Sequence, residues 1–285
     1  MTDLDGQRTP ETERVRRIPI PRLPSYLTQL AHYEIRSRSV SLLMTERDDD
    51  SSAASCAASL IAVHGKSGLL TARHVWEAAR KRPILGVALN DRILRLETAG
   101  LYAFAPARDG LLEGEKAEVP DLAFVYLHPE HRATIQACGR VFYSIDRRRQ
   151  STQFDLFGDD GFYVVVGSPI ERIDIVNARI ASLTYDTEIS RQLQQSGWDY
   201  IFVNLNIEGN PEIPNDYKGV SGGGLWRVKF LASPDLKNFW IEDPARDIIL
   251  VGVNFYQTDI PGRQLIAHGP KSIYERLYME LSSAS

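Results

Sequence analysis

The pentapeptide Gly219-Val220-Ser221-Gly222-Gly223 sets a serine in a glycine-walled turn. Glycines on both sides let the backbone fold tightly and let a carbonyl group approach the main-chain N–H groups. A serine hydroxyl is a poor nucleophile until a base takes its proton, and that base needs a third group to fix its tautomer. Residues of both types lie upstream: His74 in Gly68-Leu69-Leu70-Thr71-Ala72-Arg73-His74-Val75, and Asp121 in Val119-Pro120-Asp121-Leu122-Ala123-Phe124-Val125. A G-x-S-x-G pattern arises by chance in about one in ten chains of this length, and the extra glycine brings that below about one in a hundred. Read singly, each residue has an ordinary explanation. A serine among glycines is a turn, a histidine after an apolar run is structural, and an aspartate ahead of a strand is a turn or cap. Read together, they suit acyl transfer, with Ser221 as nucleophile, His74 as general base and Asp121 as the carboxylate that orients it.

The chain order His, Asp, Ser belongs to the chymotrypsin-like arrangement, not to subtilisin or the α/β-hydrolases, and the spacings are close to those of the type example. The chain thus resembles the trypsin/chymotrypsin-like serine peptidase family over about residues 50 to 270. Thr71-Ala72-Arg73-His74 is similar to its Thr-Ala-x-His motif, Asp121-Leu122-Ala123 to its buried Asp-hydrophobic-Ala, and Gly219 to Gly223 to its G-x-S-G-G. The resemblance implies a mainly β protein of two six-stranded antiparallel β-barrels with a closing C-terminal helix. It implies a peptide or protein substrate, no cofactor or metal, and an oxyanion hole made by the backbone N–H groups of Gly219 and Ser221. One such donor is worth roughly 3–4 kcal/mol.

Departures from the family pattern carry information too. Val220 stands where trypsin-type enzymes place an aspartate that pairs with a newly cut N-terminus. Activation by N-terminal cleavage is therefore not expected, and the chain is more similar to the bacterial branch without disulfides, with control by a regulatory protein partner. Gly224 replaces a common proline, and Gly167-Ser168-Pro169 resembles the Gly-x-Pro strand end of bacterial members. For the substrate pocket, Asn215 occupies the base position and lacks a trypsin-like carboxylate. Asp216 beside it either attracts a basic side chain or is a solvated turn residue. The strand Val251 to Gln257 forms a second wall that can pair with extended substrate. Phe255 and Tyr256 there face substrate or fill the barrel core.

The elements that must hold these residues read mostly as short β-branched strands with turns between them, which suits barrels more than layered α/β folds. Strand signals fall at 58–63, 68–71, 84–89, 122–127, 161–166, 200–205 and 248–253. Helical spacing runs through Ser25 to Arg36, a short helix is expected over Arg73 to Lys81, and Pro270 to Leu281 sets Ile273, Leu277 and Leu281 on one face. The expected organisation is an N-terminal arm with a short helix over 1–35, a first barrel with His74 and Asp121 over 36–140, and a second barrel with Ser221 and the closing helix over 141–285. Arg147-Arg148-Arg149 reads as a solvated loop between barrels. Trp226 to Trp240 reads as an excursion longer than a hairpin needs. His128-Pro129-Glu130-His131 lacks the i, i+4 spacing of a helical metal site, and His64 and Lys66 flank a hairpin turn.

At 285 residues with 43% hydrophobic and 25% charged side chains, the chain can bury a real core. A net charge of −4 argues against a general nucleic-acid binder. No apolar run is long enough to span a membrane, and Met1 to Arg17 lacks the apolar core of a secretion signal. Only two cysteines occur, Cys56 and Cys138, whereas secreted relatives are stapled by several disulfides, so a reduced, cytoplasmic setting is expected. Two other functions compete with an endopeptidase. One is a latent or non-catalytic protein-binding module on the same fold. The other is an α/β-hydrolase-type esterase, which needs a helix directly after the serine and later partners such as Asp259 and His268.

Overall fold

The computed structural model describes residues 23–44, 54–90, 92–150, 161–168, 173–174, 179–180, 183–204, 219–233, 235, 237–258 and 264–283. Helix α1 (Ser25–Ser37) leads into β1 (Ser39–Met44), β2 (Ala54–Val63), β3 (Lys66–Thr71), α2 (Arg73–Ala79), β4 (Ile84–Ala88), β5 (Ile93–Glu97), β6 (Ala103–Phe104) and β7 (Ala123–Tyr126). Next come α3 (Pro129–Ala137), β8 (Tyr143–Ser144), α4 (Ile145–Gln150), β9 (Gly161–Gly167), β10 (Ile173–Asp174), β11 (Arg179–Ile180), β12 (Leu183–Gln195) and β13 (Trp198–Asn204). The chain ends through β14 (Gly224–Lys229), β15 (Leu231–Ala232), β16 (Phe239–Trp240), α5 (Pro244–Asp247), β17 (Ile248–Gln257), β18 (Gln264–His268), a π turn (Ser272–Leu277) and α6 (Tyr278–Ser283).

Two β units result, and only one closes. Strands β12-β13-β18-β17-β14-β9 form a closed antiparallel barrel. The N-terminal strands form an eight-stranded sheet in the order β5-β4-β1-β2-β3-β7-β6, with β8 joining β2 in parallel. The expected first barrel is therefore corrected to an open sheet whose two end strands do not pair. The reason lies in β6, which is only two residues long and is followed within two residues by Pro106, a residue that cannot donate to a ladder.

The apolar runs of the barrel are explained by burial on both faces. Alternate residues of β13, β14 and β17 go to two separate clusters: Ile201, Val203, Leu225, Ile249 and Val251 to one, and Tyr200, Phe202, Trp226, Val228 and Leu250 to the other. Strands covered on both faces read as unbroken apolar stretches rather than alternating ones.

Several local expectations shift. Arg147, Arg148 and Arg149 lie on α4 rather than in a loop, with Arg148 buried and donating from Nε to the Tyr143 hydroxyl, 3.1 Å away. Pro129 starts α3, where its missing N–H costs nothing. His64 and Gly65 turn between β2 and β3 with positive φ, as a tight hairpin requires. The excursion after Trp226 holds the small β15–β16 ladder. Cys56 and Cys138 are free thiols, and burial pushes Cys56 up to about 12, so it stays protonated. Among the described residues no helix is long and apolar enough to cross a membrane.

The C-terminal segment is fixed to the barrel by one buried aspartate. Asp199 at the start of β13 accepts from Ser272 N at 2.6 Å, Ser272 Oγ at 2.7 Å and Lys271 N at 3.1 Å. It thereby satisfies N–H groups that a helix start leaves without intrahelical partners. Replacing Asp199 with alanine is expected to lower unfolding stability by about 1–3 kcal/mol, measured by urea denaturation; an unchanged midpoint would contradict this role.

Candidate active site

The β3–β7 register brings His74 and Asp121 together. Thr71 pairs with Ala123 in an antiparallel ladder, so the chain running forward from Thr71 and the chain running back from Ala123 leave the sheet at the same end. Three residues on from Thr71 lies His74, on the first turn of α2; two residues back from Ala123 lies Asp121. There Asp121 Oδ1 accepts from the His74 backbone N–H at 2.8 Å, and Oδ2 meets Nδ1 of the ring at 2.6 Å. The double contact fixes both the ring's position and its tautomer, with the proton on Nδ1 facing the carboxylate.

The pair is graded from interior to solvent. The Asp121 side chain is 9% exposed and that of His74 is 42% exposed. Burial pushes the Asp121 carboxyl upward, but the hydrogen bond and charge of His74, with its backbone N–H, outweigh this and hold it below its ordinary value. Asp121 is thus an ionised buried carboxylate whose charge is answered chiefly by the His74 imidazole.

The serine turn reaches the same seam from the barrel side. Ala57 N, on β2, donates to Ser221 O at 3.0 Å. Thr71 Oγ1 donates to Ala57 O at 2.9 Å, so the segment leading to His74 and the strand holding Ser221 are bonded side by side. From the barrel, Gly222 N donates to Asn254 O at 2.7 Å, Asn254 N to Gly223 O at 2.8 Å, and Ser168 N to Gly219 O at 3.1 Å. Two glycines are required by this crowding. Gly222 has φ +83° and any Cβ there would strike Thr71 Oγ1 and the Ala57 carbonyl; Gly219 has φ +96° and faces the Ser168 carbonyl. The φ values alone disfavour an L side chain.

Ser221 is half-buried at this seam. Among the described residues, neither its Oγ nor the N–H groups of Gly219 and Ser221 make a hydrogen bond. Hydroxyl-to-base bonds in substrate-free sites are often long and tighten when substrate binds. Val220 is fully buried against Gly167, an apolar packing where an ion pair would have no place.

The substrate-pocket residues fare unevenly. Asn215 and Asp216 lie outside the described residues. Phe255 is buried, its ring 6.0 Å from that of Tyr200 and 4.7 Å from that of His268, so it fills the core, while Tyr256 is half-buried and packs at the core's margin. Ser221 is followed within three residues by strand β14, not by the helix that an α/β-hydrolase elbow needs. Of the partners that reading would use, Asp259 lies outside the described residues, and His268 is buried against Asp121. Asn254 and His268 support the site in ways that the sequence did not indicate, where Asn254 reads only as part of a pocket-wall strand and His268 only as a partner in the esterase alternative. Their contacts span 31 and 147 residues and leave no local pattern. His128, capping α3, and His131, on its first turn, sit ring to ring at 5.6 Å, and among the described residues no metal-binding group of three is formed.

Gly222→Ala should unfold the seam, seen as a large drop in melting temperature; a variant as stable as the parent would refute the crowding. The Asp121 carboxyl, held below the ordinary 3.8, contributes stability above that value that fades as pH falls through its folded pKa. The stability gap between the parent and Asp121→Asn should therefore be full near neutrality and narrow in acid. A gap that widened on acidification would reverse the sign.

No family model matches the chain. Ribose-5-phosphate isomerase A of Listeria monocytogenes serotype 4b (strain CLIP80459) is 33% identical over 99 residues, 29% of this chain and 44% of that protein. The same enzyme from serovar 1/2a (strain ATCC BAA-679 / EGD-e) is 32% identical over 99 residues with the same coverage. The chain thus spans less than half the length of the curated relatives it matches. Among solved structures, the active form of the Rv3671c protease from M. tuberculosis is 12% identical, with 97% of this chain and 93% of that one covered at a TM-score of 0.49. A thermostable serine protease, AL20, from an extremophilic microorganism is 15% identical, with 87% and 98% covered at a TM-score of 0.41. Scores of this size describe a loose likeness, and the seam rests on its own contacts.

Proposed function

We propose that the chain is a serine endopeptidase that cleaves peptide bonds through an acyl-enzyme, with Ser221 as nucleophile, His74 as general base and acid, and Asp121 as the group that orients His74. The observation that carries this reading is the two-point grip of Asp121 on His74, through Nδ1 and the backbone N–H, beside a serine turn bonded to the same strand seam. With the proton held on Nδ1, the Nε2 lone pair is the one left to accept the Ser221 proton.

In this reaction Nε2 of His74 takes the proton as Oγ bonds to the scissile carbonyl carbon. The carbonyl oxygen becomes an oxyanion, received by the N–H groups of Gly219 and Ser221. Collapse breaks the C–N bond, and the amine leaves with the proton from His74. Water, deprotonated by the same imidazole, then attacks the ester and frees Ser221. No cofactor enters these steps. Val220, buried and apolar, cannot make the ion pair that an aspartate there would form with a newly cut N-terminus; on this reading control is by a regulatory protein partner, and the enzyme works in a reducing cytoplasm. Tyr256, with Asn215 and Asp216, is the proposed lining of the substrate pocket.

A latent form of the same site is the second reading, favoured by one observation: the Ser221 hydroxyl makes no hydrogen bond among the described residues. Labelling with a fluorophosphonate separates the two. The purified chain should label at Ser221, Ser221→Ala should not, and His74→Ala and Asp121→Asn should each slow labelling by about 10³-fold or more. A folded parent that does not label would favour the latent or binding role over the enzyme.

A further inference from the structure

Asp121 is held by more than its carboxylate. Its backbone N–H donates to Nε2 of His268, 2.9 Å away, across the boundary between sheet and barrel. Asp121 leads into β7 of the open sheet, whereas His268 ends β18, paired there with Tyr200 and Val253 of the closed barrel. The imidazole is fully buried. It lies 4.7 Å from the Phe255 ring at 34°, 5.1 Å from Tyr200 and 5.9 Å from Trp198.

Burial lowers His268 to about 4, so the ring is neutral at pH 7. With Nε2 accepting, its proton sits on Nδ1, and that atom has no hydrogen-bond partner among the described residues. A buried donor without a partner lowers stability. An aromatic box of this kind packs a phenylalanine without that loss, so packing alone does not call for an imidazole. What the imidazole adds is an acceptor aimed at one N–H, that of Asp121. The residue after it is also fixed: Gly269 N donates to Asp199 O at 2.8 Å, and a Cβ at 269 would strike the Asp199 carboxylate. The acceptor is therefore presented from a rigid strand end.

We propose that His268 is a positioning residue. It fixes the Asp121 main chain from the barrel side, and so sets the angle at which the carboxylate meets His74 and locks that pair to the half of the molecule carrying Ser221. The kinetic consequence rests on the serine-peptidase reading; the geometric claim does not.

The test therefore reads both. In the parent protein, a through-hydrogen-bond NMR coupling between the Asp121 amide nitrogen and His268 Nε2 is expected, and its absence in a folded sample would overturn the proposal without any variant. His268→Phe keeps the aromatic packing and removes the acceptor, while His268→Gln keeps an acceptor oxygen. In His268→Phe the downfield proton resonance of His74 Nδ1 should broaden or vanish, and the maximal rate of fluorophosphonate labelling should fall about 10- to 100-fold with probe affinity kept. His268→Gln should recover most of that rate. Tyr274→Phe, which loses the 2.7 Å bonds of its hydroxyl to Leu250 O and to the Tyr143 hydroxyl and touches neither Asp121 nor His268 through a hydrogen bond, should lower melting temperature without either change. A folded His268→Phe with the parent's resonance and labelling rate would sink the positioning role. If the parent itself never labels, the peptidase reading fails, and the coupling and resonance still decide whether His268 holds Asp121.

Discussion

The arrangement depends first on the antiparallel register of β3 against β7. Thr71 opposite Ala123 is what makes two chain segments 47 residues apart deliver an imidazole and a carboxylate to one point. A slip of one residue would move Asp121 by about 3.4 Å and turn every side chain of the strand to the other face. The register is defended by packing. Gly68 lies directly against the Phe124 ring and the Val125 carbonyl, leaving no room for a side chain. Leu69, Leu70, Phe124 and Val125 are all buried, so a slip would expose or clash apolar groups on both faces.

The two β units contribute differently to the seam. The closed barrel has no free edge, and it supplies the stiff part: the Ser221 turn is tied by backbone bonds to Asn254 on β17 and to Ser168, the residue after β9. The open sheet supplies the His–Asp pair from β3, α2 and β7, with β7 covered on its outer side by the two-residue terminal strand β6. An unclosed sheet is thus compatible with a well-formed pair, because β3 and β7 are both paired on each side. The seam itself is polar: Ser41 and Ser168 share a hydrogen bond across it, and Thr71 bonds Ala57. Polar groups buried at a junction accept few alternative packings, since each misfit leaves an orphan donor or acceptor.

What the sequence made legible follows the range of the interactions. The His74, Asp121 and Ser221 motifs were readable because each is a local pattern, glycines around a turn or apolar runs beside a polar residue. Strands such as Ile248 to Val253 were readable for the same reason, as unbroken apolar stretches. The openness of the first sheet was not, because it depends on β6 failing to reach β5, a contact between segments that carry no mutual signal. The basic run at Arg147 looked like a solvated loop, yet Arg148 is buried by its bond to Tyr143 and Arg149 lies 3.9 Å over the Tyr278 ring. Charge alone did not reveal that their long stems cover apolar surface. His268 was invisible as a support residue, since its acceptor atom meets a backbone N–H far away in the chain.

The neutrality of that histidine also bears on the electrostatics of the proposed reaction. A buried carboxylate is tolerated only when its charge is answered. Were His268 protonated, a second imidazolium would sit beside Asp121 and repel the positive charge that His74 must acquire. Nε2 of His268 would also carry a proton and could no longer accept the Asp121 N–H. Burial among Phe255, Tyr200 and Trp198 prevents this at neutral pH. With His268 neutral, no second cation on that side opposes the charging of His74, the exposed ring of the two. When His74 gains the proton of the attacking serine, the new positive charge forms beside a carboxylate already ionised and already oriented, so little reorganisation is needed at that moment. The aromatic box thus acts on the chemistry without touching the substrate: by keeping one imidazole neutral, it lets the other become charged.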